Sequence, residues 1–318
     1  MIEVKNLSKY YGDFKAVDGL NFRIGAGEIA GFLGPNGAGK STTMNMLTGY
    51  LSASEGQILV DGRDIQEDPL AARKAIGYLP EIPPLYPDLT VMEYLSFIYE
   101  LKKAKQPRKE HLHKICCLAG IEAVSGRLIG NLSKGYRQRV GIAYALVGDP
   151  PILILDEPTA GLDPKQIAEI RELIVHLGKS HTVMLSTHIL SEVQAVCKRI
   201  IVISGGRIAA DGNRDTIAEQ LSGERGLIAR IEGTRGEIVN ALRNLTGVRQ
   251  VKCRQTEEKD VYEYTILQEA ETDLRRSLFA LCAAHTWPLL ACRSAEYTLE
   301  EMFMKLTDMG GIPANGRM

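Results

Sequence analysis

The sequence has no long apolar run and no excess of charge of either sign. No stretch of its 318 residues approaches the ~18 consecutive apolar residues of a transmembrane helix. The first residues, Met1-Ile2-Glu3-Val4-Lys5, contain no signal-peptide core, so we expect a cytosolic protein that works at a membrane only by docking to another subunit. Lysine and arginine number 38 against 39 aspartates and glutamates, which argues against nucleic-acid binding through bulk charge.

Cysteines are few, and none of the six belongs to a C-x-x-C pair or lies at zinc spacing from a histidine. We therefore expect small buried thiols rather than disulfides or a metal site. The six are Cys116, Cys117, Cys197, Cys253, Cys282 and Cys292. With 45% hydrophobic and 24% charged residues the composition is typical of globular proteins, and at ~150 residues per domain the length predicts two domains.

The first 220 residues alternate strand-like and helical patterns. Short apolar runs separated by glycines predict strands in the first part, and from about Thr90 to Leu146 the apolar spacing is helical. The basic stretch Lys102–Lys114, which contains Pro107, is expected to be a solvated face and loop. After Pro150-Pro151 the order is strand, helix, strand, which indicates an α/β fold.

A second unit is predicted for residues 221–308. Its apolar pattern gives the order β-α-β-β-α-β-α, which matches a ferredoxin-like split βαβ fold with one extra helix, Leu299–Leu306, at the end. The remaining residues, 309–318, are rich in glycine, proline and asparagine, so we expect a mobile tail.

The segment Gly34-Pro35-Asn36-Gly37-Ala38-Gly39-Lys40-Ser41-Thr42 fits the pattern G-x-x-x-x-G-K-[ST] in full. It follows an apolar strand and precedes a helix, so backbone N–H groups and the helix N-terminus can surround phosphate oxygens. Lys40 is predicted to contact the β- and γ-phosphates, and the Ser41 hydroxyl to ligate Mg²⁺. The pattern predicts a nucleoside triphosphate without choosing between ATP and GTP.

Two acids follow the apolar run Ile152–Leu155, at the end of a strand where α/β sheets bind ligands. Asp156 is predicted to hold Mg²⁺ through water, and Glu157 to act as the base that polarises the attacking water. The alternative is that the two acids are merely polar residues at the end of a strand. The phosphate-binding loop elsewhere in the chain argues against this alternative.

The segment Leu132-Ser133-Lys134-Gly135-Tyr136-Arg137-Gln138 resembles the signature motif, usually L-S-G-G-Q, of the ATP-binding subunits of ABC transporters. Ser133 is also a good cap for a helix that reaches about Leu146. The resemblance implies a P-loop ABC cassette in residues 1–220, with a mixed sheet and a helical subdomain at about residues 90–146. It also implies ATP and Mg²⁺ as cofactors, with Ser133 and Gly135 acting on nucleotide held by a second, identical subunit.

Other segments follow in the order of the same family. Asp163 resembles the D-loop aspartate, and His188 the switch histidine that contacts the γ-phosphate. Tyr11 resembles the aromatic residue that stacks on adenine, with Tyr10 as the competing choice. Glu81 stands where the family usually has a glutamine, and we expect it to contact the metal and to make closure sensitive to Mg²⁺ and pH.

The ending from Ser294 to Thr307 resembles that of ABC-2-type exporter ATPases, the group that includes drug, sodium, gliding-motility and copper-enzyme maturation systems. The resemblance implies an ATPase that powers an exporter from the inner face of the membrane, as a homodimer bound to a permease and with no nucleic-acid partner. A soluble ABC ATPase with a non-transport partner is the alternative. Only 93 residues separate Lys40 from Ser133, with no coiled-coil insertion, which argues against DNA-repair members. A small-molecule kinase or GTPase is the third candidate.

Overall fold

The computed structural model describes residues 1–213, 216–217, 226–268, 272–294 and 303–304. The chain forms two compact units that meet in sequence between residues 214 and 215, and the second extends to residue 302. The predicted boundary at residue 220 and the tail at 309–318 lie outside the described residues. So does the predicted helix Leu299–Leu306, apart from Phe303 and Met304, which are helical.

The first unit is built on a six-stranded sheet. In spatial order its strands are β10 (Arg207–Gly212), β9 (Arg199–Ser204), β3 (Ile29–Leu33), β8 (Thr182–Thr187), β7 (Ile152–Asp156) and β6 (Ile76–Leu79). All run parallel except β10, which forms an antiparallel hairpin with β9. Strands β7 and β8 are buried along their whole length, which explains the apolar runs Ile152–Leu155 and Val183–Leu185 within them. The carboxyl ends of the five parallel strands therefore meet at one edge.

A second sheet of the first unit is antiparallel. Its spatial order is β2 (Phe14–Ile24), β1 (Ile2–Tyr11), β4 (Glu55–Val60) and β5 (Arg63–Asp64). Apolar side chains from both sheets share one core, in which the rings of Phe22 and Phe32 lie 5.8 Å apart. This packing brings the start of β2 against the residues that follow β3.

Within residues 1–213, seven α-helices connect these strands. They are α1 (Lys40–Leu47), α2 (Pro69–Lys74), α3 (Val91–Leu101), α4 (Arg108–Ala119), α5 (Lys134–Leu146), α6 (Pro164–Leu177) and α7 (Leu190–Val196). Short 3₁₀ helices occupy Glu122–Val124 and Ile129–Asn131. Within the described residues no helix is both long and apolar enough to cross a membrane.

Helices α3, α4 and α5 lie between residues 91 and 146 and contribute to one apolar core, and we call them the helical subdomain. A capping box of Thr90 and Glu93 starts α3, and the buried side chains of this helix are Val91, Tyr94, Leu95 and Ile98. The expectation of a solvated face and loop over Lys102–Lys114 agrees with the exposed side chains of residues 108–110, 113 and 114. It is wrong about the loop in the second half, because α4 begins at Arg108 and buries His111. Pro107 occupies the N-cap of α4, where its missing backbone N–H removes no helical hydrogen bond. Its carbonyl oxygen accepts a hydrogen bond from His111 N–H at 2.9 Å.

Between residues 226 and 294, where the structure describes all but residues 269–271, the second unit has the element order β-α-β-β-α-β. Its elements are β11 (Gly226–Glu232), α8 (Arg235–Arg243), β12 (Val248–Gln255), β13 (Val261–Gln268), α9 (Arg275–Ala284) and β14 (Leu289–Ser294). The sheet is antiparallel with the spatial order β12-β13-β11-β14. One apolar core contains Ile231, Ile238, Tyr264 and Leu278 from the sheet and both helices. The two βαβ halves are interleaved in this order, as in a split βαβ fold.

Candidate functional site

The glycine-rich loop joins β3 to α1 at the carboxyl edge of the parallel strands. Gly37 and Gly39 have φ angles of 80° and 102°, which side-chain-bearing residues rarely adopt. A Cβ atom at Gly34 would lie 2.5 Å from the carbonyl oxygen of Ile203, and one at Gly39 would lie 2.7 Å from that of Ala16. Glycine is therefore required here both by conformation and by the close approach of neighbouring backbone.

The lysine of the loop is the first residue of α1. Its ammonium group donates hydrogen bonds to the carbonyl oxygens of Gly34 at 2.7 Å and Pro35 at 3.1 Å. Burial lowers the pKa of Lys40, and nearby carboxylates act in the opposite direction. The other predicted residues of the loop differ in exposure: Asn36 and Ser41 are exposed, whereas Thr42 is half-buried.

The two predicted acids lie at the end of β7. Asp156 is its last residue and is opposite Ser186 of β8 in the sheet register. Burial raises the pKa of Asp156, and the charges of Glu157 and Glu81 raise it further. Glu81, exposed two residues after β6, thus lies within electrostatic reach of both Asp156 and Lys40.

Glu157 is held in a strained position. Its φ angle of 47° is in the left-handed region, and its backbone N–H donates to the carbonyl oxygen of Ser186 at 2.9 Å. One carboxylate oxygen lies 2.8 Å from Nδ1 of His188, and the other lies 3.3 Å from the hydroxyl oxygen of Thr187. The Glu157 side chain is buried, while that of His188 is 46% exposed. Tertiary structure thus joins two residues that are 31 positions apart in the sequence.

A further acid, Glu192, was missed by sequence reasoning. It lies in α7 and is only 1% exposed. Its carboxylate accepts hydrogen bonds from the hydroxyl groups of Thr159 and of Thr187, the latter at 2.9 Å. Among the residues that the structure describes, no cation forms an ion pair with it. Glu192 follows His188 by four residues and belongs to none of the sequence motifs described above.

The signature residues lie on a different surface. Ser133 caps α5 by accepting a hydrogen bond from Tyr136 N–H at 3.4 Å, and Asp163 caps α6 by accepting one from Gln166 N–H at 2.9 Å. A Cβ atom at buried Gly135 would lie 2.7 Å from the Gln166 side chain, which keeps the two helix starts close. Ser133, Gly135 and Asp163 line a cleft of about 380 Å³ whose lining includes none of the loop residues 34–42.

The two tyrosines that end β1 differ in their freedom. The Tyr10 hydroxyl donates to Glu55 Oε2 at 3.1 Å, and the Lys15 ammonium lies 5.2 Å from the centre of its ring. Tyr11 is 51% exposed, and the Lys9 ammonium lies 5.5 Å from its ring centre. Between the two, Tyr11 presents the more accessible ring face.

Comparisons with known proteins agree with this arrangement. Residues 17–160 match the family model described as ABC transporter. The chain is 32% identical over 311 residues to the linearmycin resistance ATP-binding protein LnrL of Bacillus subtilis (strain 168), covering 96% of this chain and 98% of that protein. It is 36% identical over 242 residues to the bacitracin transport ATP-binding protein BcrA of Bacillus licheniformis, covering 73% of this chain and 78% of that one.

Solved structures with the same fold include an ATP-binding subunit of an ABC transporter, with a TM-score of 0.64, 32% identity, and coverage of 69% of this chain and 92% of that one. A dimeric bacterial ABC transporter cassette, MJ0796, matches with a TM-score of 0.61 and 29% identity over 67% of this chain and 98% of that one. The predicted cassette fold is confirmed. With its similarity to LnrL extending over nearly the whole of both chains, the chain belongs to the ATP-binding subunits of ABC transporters, which are ATPases coupled to transport.

Proposed function

We propose that this chain hydrolyses ATP as one half of a homodimer and so drives an exporter. One observation carries the proposal: a single chain holds two separate parts of a nucleotide site. The loop around Lys40 lies with Asp156 and Glu157, whereas Ser133, Gly135 and Asp163 line another cleft. Each part is useful only when a second copy supplies the other part.

ATP is held first by the loop. The backbone N–H groups around Gly37 and Gly39, together with the N-terminus of α1, favour the phosphates. Lys40 exchanges its carbonyl acceptors for the β- and γ-phosphate oxygens, which carry more negative charge. Stacking of adenine on the exposed ring of Tyr11 adds roughly 1–3 kcal/mol, by analogy with other base–aromatic contacts.

The oxygen atoms near Lys40 suit Mg²⁺, which prefers hydroxyl, carboxylate and water ligands. Ser41 and Asp156 would hold the ion, and Glu81 would stand close to it. Mg²⁺ supplies neutralisation of the phosphate charge. The raised pKa of Asp156 fits this role, because a carboxyl group crowded by other acids is stabilised by a cation.

Glu157 is placed to polarise the attacking water. Its contact with His188 Nδ1 at 2.8 Å fixes one carboxylate oxygen and leaves the imidazole partly exposed, where it can meet the γ-phosphate. The left-handed backbone at Glu157 is the kind of strain that proteins retain at reactive positions. A positioned base of this type contributes ~10²–10⁴-fold in rate.

The permease partner would dock beside the helical subdomain. A cleft of about 790 Å³ there is bordered by the exposed apolar residues Tyr50, Leu70 and Leu101. Exposed apolar surface of this kind suits an apolar segment of a membrane subunit. This docking would hold the protein at the inner face of the membrane. Ile82, which follows Glu81, is a further exposed apolar residue at 83% exposure.

Export is the direction that we propose, because LnrL is named for resistance and BcrA for bacitracin transport. Nucleic acid is not among the partners, given the balanced charge of the chain. A soluble ABC ATPase with a non-transport partner is the alternative. Co-purification of the full chain from detergent-solubilised membranes with an integral-membrane subunit supports transport, and recovery from the soluble fraction alone supports the alternative.

Complementation between two inactive variants tests the shared site. Lys40→Ala damages only the loop and Ser133→Ala damages only the signature surface, so each homodimer has two defective sites. A mixed dimer has one site with both defects and one intact site. A 1:1 mixture should recover roughly a quarter of wild-type activity, because half of random dimers are mixed and each has one good site of two. No recovery in a mixture whose subunits exchange would contradict the homodimer.

A further inference from the structure

Three side chains with metal-binding atoms meet on the surface of the helical subdomain, away from the nucleotide residues. His113 and Cys117 lie one turn apart in α4, and Glu122 opens the following 3₁₀ helix. Cys117 Sγ lies 3.7 Å from His113 Nε2 and 2.9 Å from Glu122 Oε1, and His113 Nδ1 lies 3.9 Å from the same oxygen. Within the described residues, this is the only group of three such side chains whose ligand atoms all lie within 4.8 Å of one another.

The separation of the atoms fits one small ion. A tetrahedral ion with Zn–S of about 2.3 Å and Zn–N of about 2.0–2.1 Å places sulfur and nitrogen about 3.6 Å apart. The 3.7 Å between Cys117 and His113 agrees with this value. The Glu122 oxygen is closer to the sulfur than a shared ion requires, and rotation of this exposed side chain increases that distance.

The backbone holds the acid beside the helix. Helix α4 ends at Ala119, and its C-cap residue Gly120, with a φ of 66°, turns the chain back. The Ile121 N–H donates a hydrogen bond to the carbonyl oxygen of Cys116 at 2.9 Å. Arg139 supports the turn by donating to the carbonyl oxygen of Ala119 at 3.0 Å while paired with Glu169 at 2.7 Å. The hydrogen bonds of this turn therefore fix the backbone position of Glu122 beside the end of α4.

We propose that His113, Cys117 and Glu122 bind a divalent cation of borderline softness, for which Zn²⁺ is the best fit, with water as the fourth ligand. Thiolate and imidazole select Zn²⁺ over Mg²⁺, and the carboxylate balances the remaining charge. On binding, the Cys117 thiol loses its proton to solvent and the imidazole binds in its neutral form. The ion ties the last turn of α4 to the next helix. The expectation of buried cysteines is wrong for Cys117 and Cys292, which are both exposed.

The test uses the full-length chain without a polyhistidine tag, free of nucleotide, with excess Mg²⁺ to saturate the acids near Lys40. Zn²⁺ titration by calorimetry should give one site. Co²⁺ should give the absorption of a tetrahedral ion with a thiolate charge-transfer band. Cys117→Ser and His113→Ala should each weaken Zn²⁺ binding by more than ~10-fold, since even second-shell changes at metal sites cost ~10–100-fold.

The matched control is Cys292→Ser, which removes an exposed cysteine from the second unit and should leave the affinity unchanged. Asp156→Asn should also retain the site, which separates it from the nucleotide-binding acids. Thermal unfolding checks that the variants fold, as expected for exposed positions. Wild-type affinity in both Cys117→Ser and His113→Ala, or an octahedral Co²⁺ spectrum without the thiolate band, would overturn the proposal.

Discussion

Replacing Glu192 with alanine removes the acceptor of two buried hydroxyl groups beside the candidate catalytic acid. The Thr187 hydroxyl still has a second acceptor, Glu157, at 3.3 Å. The Thr159 hydroxyl loses the Glu192 carboxylate, which accepts its hydrogen bond in the wild type. One unsatisfied buried donor costs about 1–3 kcal/mol. Because ~1 kcal/mol shifts the melting temperature of a domain of this size by ~2–4 °C, we expect a decrease of ~2–12 °C.

The same change should alter catalysis. In the wild type the single proton of the Thr187 hydroxyl is shared between Glu192 at 2.9 Å and Glu157 at 3.3 Å. Without Glu192 this hydroxyl group donates to Glu157 alone, and the carboxylate oxygen that accepts it is less available to the attacking water. We therefore expect kcat to fall.

Steady-state ATPase activity and differential scanning calorimetry measure the two effects. Glu192→Gln retains one acceptor oxygen and the shape of the side chain, so it should lose less stability and less activity than Glu192→Ala. Glu172→Ala, an exposed glutamate in α6, is the control. A folded Glu192→Ala protein with the wild-type kcat would refute the positioning role.

Four other changes have distinct expected outcomes. Glu157→Gln should bind ATP, lose ~10²–10⁴-fold in turnover and accumulate as a dimer in size-exclusion chromatography with ATP, and full turnover would remove it as the base. Glu81→Gln removes a charge that raises the pKa of the carboxyl ending β7, so its ATPase should depend less on Mg²⁺ and acidic pH, and superimposable curves would argue against that contact. Burial lowers the pKa of Lys102 to about 8, whereas an unfolded lysine keeps its proton to ~10.4, so stability should rise between these pH values in wild type but not in Lys102→Met, as thermal melts can check. Gly77→Ala places a Cβ atom 2.3 Å from a backbone oxygen of α5 and should cost ~1–3 kcal/mol in denaturant unfolding, whereas Gly126→Ala, with no atom within 4 Å, should be nearly neutral.

Local features of the chain were predictable because their causes are local. The loop around Gly37 and Gly39 needs positive φ angles, which glycine provides, and the helix after Ser133 begins where a hydroxyl can cap it. Asp156 and Glu157 follow a run of four apolar residues, so their place at the end of a buried strand follows from the pattern. The spacing of apolar residues is less informative after Pro107, because the first turn of α4 consists of charged residues and its buried residues begin only at His111.

The sequence by itself determined which chemical groups the protein carries and on which short element each of them lies, since turns, caps and strand exits depend on neighbouring residues. Only the tertiary structure decided which groups meet. The contact of Glu157 with His188, the buried carboxylate of Glu192 and the pairing of Glu122 with Cys117 all depend on how separate elements pack. Burial and hydrogen bonding across that packing set the charge and orientation of each group, and no local pattern encodes them.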